Sequence, residues 1–168
     1  MFINPQTAIE KGWIKGIHDT DKQVQPNAID FTLDQLKRVN EYMVAKLSES
    51  GKTMRTLIDA DVYDEGWNLE RGTVYDGTSD MYVELPDGVA AILFTRSTLA
   101  RNGVFIVSGL YDSGYKGHIG FTIYPIGGRT MIAPGTRVGQ IAFISADSAG
   151  LYAGGWNHHQ GTHYAHAN

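Results

Sequence analysis

Gly109-Leu110-Tyr111-Asp112-Ser113-Gly114-Tyr115-Lys116-Gly117-His118 runs directly into Ile119-Gly120-Phe121-Thr122-Ile123. In the second part Ile119, Phe121 and Ile123 fall on one face of a period-two pattern, as in a half-buried strand. The first part is a turn former: its Asp-Ser-Gly-Tyr core bends the chain tightly and sets Asp112 and Tyr115 close together at a hairpin tip. The same short-period pattern continues on both sides. Towards the N-terminus, Tyr82-Val83-Glu84-Leu85 alternates and closes on Pro86-Asp87-Gly88, and Val89-Ala90-Ala91-Ile92-Leu93-Phe94 and Val104-Phe105-Ile106-Val107 are short apolar runs. Towards the C-terminus, Gly127-Gly128 turns the chain and Met131-Ile132-Ala133 precedes a turn at Pro134-Gly135. Val138-Gly139-Gln140-Ile141-Ala142-Phe143-Ile144 then reads as a largely buried strand. Short strands at this spacing imply a β-sandwich or barrel and not a parallel α/β sheet.

One stretch reads differently. Thr32-Leu33-Asp34-Gln35 has the spacing of a helix capping box, Leu33, Leu36, Met43 and Leu47 lie near one helical face, and Gly51 stands where a C-cap belongs. Ile29, Phe31 and Leu33 also alternate as a strand does. The expectation is therefore a strand over 28–33 and a helix over about 35–49.

Composition sets the outer bounds. The chain has 168 residues, 42% hydrophobic and 19% charged, which suits one globular domain with its own core. A single domain over 1–168 is expected, with 150–168 as a flexible, polar, His-rich C-terminal tail. Absence of cysteine excludes disulfides, thiolate zinc sites and a thiol nucleophile. Fourteen basic against 18 acidic residues leave a net charge of -4, which argues against a nucleic-acid coat but not against a small basic pocket for one phosphorylated ligand. No apolar run reaches the roughly 18 residues of a membrane span, and the N-terminus lacks the regions of a signal peptide. A soluble cytoplasmic protein, without membrane or nucleic-acid partners, is the expectation.

Three groups of residues could carry chemistry. Asp112 at the turn tip either accepts a proton from an attacking water, with Tyr115 packing against a sugar or base, or simply caps the turn. Thr95-Arg96-Ser97-Thr98-Leu99-Ala100-Arg101 joins two arginines, hydroxyls and the amides of a helix start, which together suit a phosphate oxyanion; the alternative is a solvated surface turn. Gln140 is an amide inside an apolar strand, satisfied by either a structural hydrogen bond or a ligand.

Taken together these segments resemble the family that joins trimeric dUTPases and dCTP deaminases, over about Gln23 to Ile144. Val24-Gln25-Pro26-Asn27-Ala28-Ile29-Asp30-Phe31 is similar to its first motif in the deaminase-branch form, and Thr78 to Pro86 to the stretch leading into the second. Arg96 to Arg101 is similar to the second motif, Tyr111-Asp112-Ser113-Gly114-Tyr115-Lys116-Gly117 to the third, and Pro134 to Ile141 to the fourth. The resemblance implies a mainly β fold, a distorted jelly-roll-like barrel of the dUTPase type with one or two short helices, assembled as a homotrimer with shared sites. It also implies that Asp112 activates a water towards the α-phosphorus of dUTP, with Mg2+ neutralising the triphosphate. Tyr115 would stack on the deoxyribose, and Arg96, Ser97, Thr98, Arg101, Gln140 and Gln160 would bind substrate. Asp30 would either hold the first-motif geometry or reach the metal through water.

Two departures matter. The deaminase branch carries a proton-shuttling glutamate ten residues beyond the aspartate matching Asp112; that position is Thr122, and no glutamate follows Glu84. A threonine hydroxyl is too weak an acid or base for that step, so the reading is a dUTP diphosphatase. A dCTP deaminase with a relocated shuttle, or a bifunctional enzyme, is the alternative, and a non-catalytic nucleotide-binding regulator a further one. The second departure is the tail, which lacks the basic residues of dUTPases: no Lys or Arg follows Arg137. Its histidines 158, 159, 163 and 166 are either a solvated end or a transition-metal site.

Overall fold

The alternation at Ile119, Phe121 and Ile123 is carried by a ten-residue strand in the computed structural model, which describes residues 1–63 and 65–154. In chain order the elements begin with helix α1 (Pro5–Glu10), strand β1 (Ile14–Lys15), helix α2 (Thr20–Gln23) and strands β2 (Ile29–Thr32) and β3 (Gln35–Val39). Five short strands follow: β4 (Lys46–Ser48), β5 (Gly51–Thr53), β6 (Leu57–Asp59), β7 (Val62–Tyr63) and β8 (Gly66–Leu69). Then come β9 (Tyr75–Glu84), β10 (Val89–Thr95), helix α3 (Ser97–Arg101), β11 (Val104–Val107), β12 (Lys116–Pro125), β13 (Thr130–Ile132) and β14 (Arg137–Ser145).

Two sheets enclose the core. A six-stranded sheet runs β11-β12-β9-β3-β6, with β1 paired to β9, and a three-stranded sheet runs β10-β14-β2. Their facing sides meet where the Phe31 and Phe121 rings pack with centroids 4.9 Å apart. Smaller sheets, β13-β8-β7 and the β4-β5 hairpin, complete the set. The architecture is mostly β and jelly-roll-like, with three short helices, and among the described residues no sheet closes into a barrel. Among those residues, too, no helix is long and apolar enough to cross a membrane.

Every strand segment expected between 82 and 144 is found. Burial explains the longest: Ile119, Phe121 and Ile123 of β12 are all inside, and the partner strand β9 buries Tyr75, Gly77, Ser79, Met81 and Val83 at alternate positions. Gly77 is required by close approach. Directly opposite Phe121 in the pairing, it leaves room for that ring; a Cβ there would lie 2.6 Å from a ring carbon.

The helix expected over about 35–49 is not formed. Gln35 to Arg38 instead pair with β9, and Lys37 to Val39 with β6. The helical stripe had no core to face: Leu36 is buried in the sheet but Leu47 is exposed in the β4-β5 hairpin. The intended cap is used elsewhere, because the Asp34 carboxylate accepts from Thr32 Oγ1 at 2.7 Å and from the Asp80 amide at 3.0 Å. Gly51 opens β5 and caps nothing. Strand pairing with a free edge of β9 outweighs a weak local helix preference. The reading assigned no helix to residues 5–10 or 20–23, although Asn4 caps α1 with Pro5 in its first turn, and Asp19 caps α2.

Candidate functional site

The turn read from Asp112 to Tyr115 is present and closely tied down. Tyr115 N–H donates to the Asp112 carbonyl at 3.1 Å, and Gly114 adopts a φ of 87°, a left-handed conformation that favours glycine. Ser113 is buried beneath it, donating to the Val89 carbonyl at 2.9 Å. A bridge in which Tyr111 and Ala91 exchange backbone hydrogen bonds at 2.9 and 3.0 Å fixes the loop to β10. These anchors hold the backbone while the Asp112 side chain stays exposed. The anchored tip thus presents an exposed carboxylate.

Beside the tip lies a cavity of about 270 Å³ between the loop 107–111, β9 and β12. Tyr111, Tyr115 and Tyr152 line it, with Asp76, Phe121 and Thr122. The Tyr115 ring meets Tyr111 edge-on at 4.9 Å and Tyr152 at 5.7 Å. Its hydroxyl donates to the His118 carbonyl at 3.1 Å, and the Tyr111 hydroxyl donates to the Gly120 carbonyl at 2.6 Å. Burial pushes the Tyr111 phenol up to about 12 and raises that of Tyr115 as well, so both rings serve as neutral walls near pH 7. Asp112 adjoins the cavity through Tyr111 but is not among the residues lining it.

Asp76 is the residue that the sequence reading missed. Strand pairing forms a row across the sheet in which Val107 faces Thr122, Thr122 faces Asp76, Asp76 faces Lys37 and Lys37 faces Asp59. Burial raises the Asp76 carboxyl from 3.8 to about 6. Its position on the polar face of β9, alternating with Thr78, Asp80, Tyr82 and Glu84, gives no local hint of a cavity; only the register does.

A second constellation is built around Asp30, on β2. Gln140, its cross-strand partner on β14, donates to one carboxylate oxygen at 2.9 Å. The other oxygen receives Arg96 Nε and Arg137 Nη1, each at 3.1 Å, and Arg96 also donates to the Arg137 carbonyl at 3.1 Å. Thus the oddity of Gln140 has a structural hydrogen bond as its explanation. The Asp30 side chain is 1% exposed whereas the arginines keep 27% and 30%, so the cluster presents guanidinium groups outward over a fully buried counter-charge. Arg96 precedes α3, whose first turn has no side-chain cap, and Ser97 and Thr98 are exposed there, with Arg101 in its last turn. Uncapped amides, hydroxyls and guanidinium groups on one surface can hold an anion.

The structure brings Asp30, Arg96, Arg137 and Gln140 together, and separately groups Tyr115 with the cavity. None of Arg96, Ser97, Thr98, Arg101 or Gln140 lines that cavity. Gln160 and the four tail histidines lie outside the described residues, as does most of the tail from 150; Tyr152, at its start, donates its amide to the Ser113 carbonyl at 2.7 Å. The donor set does not make a protein cage for Mg2+. Both Asp30 oxygens are already occupied by nitrogen donors, and among the described residues no three acidic or histidine side chains converge.

Comparison with known proteins assigns the family. A probable deoxyuridine 5′-triphosphate nucleotidohydrolase of Halobacterium salinarum is 27% identical over 144 residues, covering 82% of this chain and 85% of its own. A dUMP-forming dCTP deaminase of Beutenbergia cavernae is 31% identical over 134 residues, covering 76% and 69%. Among solved structures, the 2′-deoxycytidine 5′-triphosphate deaminase of Agrobacterium tumefaciens shares the fold with a TM-score of 0.66 at 19% identity, over 86% of this chain and 48% of that one. With the dCTP deaminase-like family model matching residues 5–146, the chain belongs to that family.

Proposed function

We propose that the protein is a dUTP diphosphatase, cleaving dUTP to dUMP and pyrophosphate. The observation that carries this reading is the exposed Asp112 carboxylate on an anchored turn beside an aromatic cavity, combined with Thr122 in place of a shuttling glutamate. In this reading the cavity takes the pyrimidine, read by backbone groups around 107–112, and Tyr115 packs on the deoxyribose where a 2′-hydroxyl would crowd it. Asp112 orients a water and takes its proton as the oxygen attacks the α-phosphorus; pyrophosphate departs. Arg96, Ser97, Thr98 and Arg101 bind phosphate oxygens, while Asp30 and Gln140 act by fixing Arg96 and Arg137. Mg2+ bound to the nucleotide would supply the counter-charge for its phosphates.

The cavity and the arginine cluster stand on different sheets, and this supports a homotrimer in which one subunit's cluster completes another's cavity. Deamination of dCTP is the second reading, favoured by the carboxyl of Asp76 beside Thr122. The test is to incubate the protein with Mg2+ and dUTP or dCTP and separate the products. The expected result is dUMP and pyrophosphate from dUTP, with Asp112→Asn lowering turnover by about 100-fold or more. Tight binding of dUTP by the unmodified protein without turnover would make it a nucleotide-binding regulator instead.

A further inference from the structure

The six-stranded sheet ends on a strand that is open on one side. β6 (Leu57–Asp59) pairs with β3 and with no other strand. Along β3 the backbone groups alternate between neighbours: Val39 N–H donates to the Val74 carbonyl next to β9, and Asn40 N–H to the Thr56 carbonyl next to β6. By that parity Ile58 exchanges bonds with Arg38, while the N–H and C=O of Leu57 and Asp59 point away from β3. Among the described residues no hydrogen bond reaches these outward groups. Sheets protect such an edge with proline, a bulge or a free charge. Residues 56–59 have no proline and no bulge, and the carboxylate of Asp59 is bound by Lys37 of β3.

The chain around this edge is apolar for a surface. The 22 residues from 42 to 63 hold seven of the 18 large hydrophobic side chains exposed among the described residues. Tyr42 is 86% exposed, and Val44 and Leu47 are 72% exposed each. The β4-β5 hairpin that carries Leu47 buries none of its strand residues, and a two-stranded hairpin is marginal by itself in water. Met54, Val62 and Tyr63, also exposed, each lie within five residues of Ile58. Charge selects the occupant. In this segment Lys46, Lys52 and Arg55 balance Glu49, Asp59 and Asp61, although the whole chain carries -4. A neutral apolar arm gives no handle to a nucleic acid, an anionic membrane or a strongly charged peptide, whereas it meets its own copy without net repulsion.

The edge is also complementary to itself. In an antiparallel pairing centred on Ile58, Leu57 of one copy stands opposite Asp59 of the other, and the outward groups of these residues satisfy one another as hydrogen-bonded pairs. Ile58 then meets Ile58 at the intervening position, where Cα atoms lie about 4.5 Å apart. No like charges stand opposite each other. We propose that β6 forms a twofold interface with β6 of a second copy, joining two six-stranded sheets edge to edge and covering part of the apolar arm 42–63. The contact is isologous, so it doubles whatever assembly the subunits otherwise form: a monomer becomes a dimer and a trimer becomes a hexamer. It is independent of the reaction proposed for the cavity.

Native mass spectrometry and sedimentation velocity on the full chain at micromolar concentration test this by subunit number. An even number is expected, and a monomer or trimer alone overturns the inference. An even number that is not a multiple of three supports the twofold contact and removes the homotrimer. Leu57→Pro deletes an outward N–H without touching a bond to β3, and should halve the subunit number while circular dichroism stays that of the unmodified protein. The chain has no cysteine, so a single introduced one reports proximity. Ile58→Cys should close a disulfide between copies about tenfold or more faster than Met131→Cys, an exposed position on β13. An unchanged subunit number in folded Leu57→Pro protein, or cross-linking of Ile58→Cys no faster than that of Met131→Cys, overturns the inference. If Leu57→Pro does not fold, the two cysteine variants decide.

Discussion

Asp30 is buried and Asp76 half-buried, and the fold treats the two carboxyls in opposite ways. Asp30 receives an amide and two guanidinium groups, which tie together side chains of β2, β14 and the N-cap of α3. Asp76 sits over a cavity with no partner among the described residues, and burial pushes its carboxyl up to about 6. A satisfied buried charge holds structure together, whereas an unpartnered, half-buried one at a cavity costs stability.

Removal of each group should give opposite signs. Asp30→Ala leaves Arg96 and Arg137 facing one another without a counter-charge, and should destabilise the fold by about 3–5 kcal/mol in urea denaturation at pH 7. A loss below about 1 kcal/mol would break the contrast. Asp76→Asn should stabilise above pH 6. Because the folded carboxyl titrates at about 6 against 3.8 unfolded, ionising it costs stability, which is intact below pH 3.8 and lost as pH rises through 6. The gain at pH 8 should be at most about 3 kcal/mol and vanish near pH 3.5, as read from paired urea melts. The smallest effect sharpens the comparison: Asp59→Asn frees the Lys37 ammonium, which stands opposite Asp76, and should lower the Asp76 midpoint in a carbon-detected NMR titration. No movement of that midpoint would show that Lys37 cannot reach it.

Much of this arrangement was legible in the sequence, because alternation is a local property. Ile119, Phe121 and Ile123 announce their strand, and Asp112 to Tyr115 their turn, without help from elsewhere. Leu33, Leu36, Met43 and Leu47 misled because four apolar residues near one helical face say nothing about whether a core lies opposite. The edge of β9 decided that segment, and it comes some forty residues later. Arg96 and Gln140 stand out locally and Asp30 through the family resemblance, but their convergence depends on the pairing of β2 with β14. Asp76 was hidden for the same reason: its neighbour Thr122 is known only once β9 and β12 are in register.

The glycine that accepts the Phe121 ring carries a consequence for how this protein can change. Gly77 adjoins Asp76 along β9, and Phe121 adjoins Thr122 along β12, so the space missing at one position is the ring present at the other. Positions 77 and 121 therefore form a single unit of variation: a side chain gained at 77 requires a smaller residue at 121, and the reverse change alone leaves a void. Because Phe121 lines the cavity, that exchange would also redraw the ligand's surroundings. A lineage altering the shape of this pocket must take the two steps together or pass through a strained intermediate.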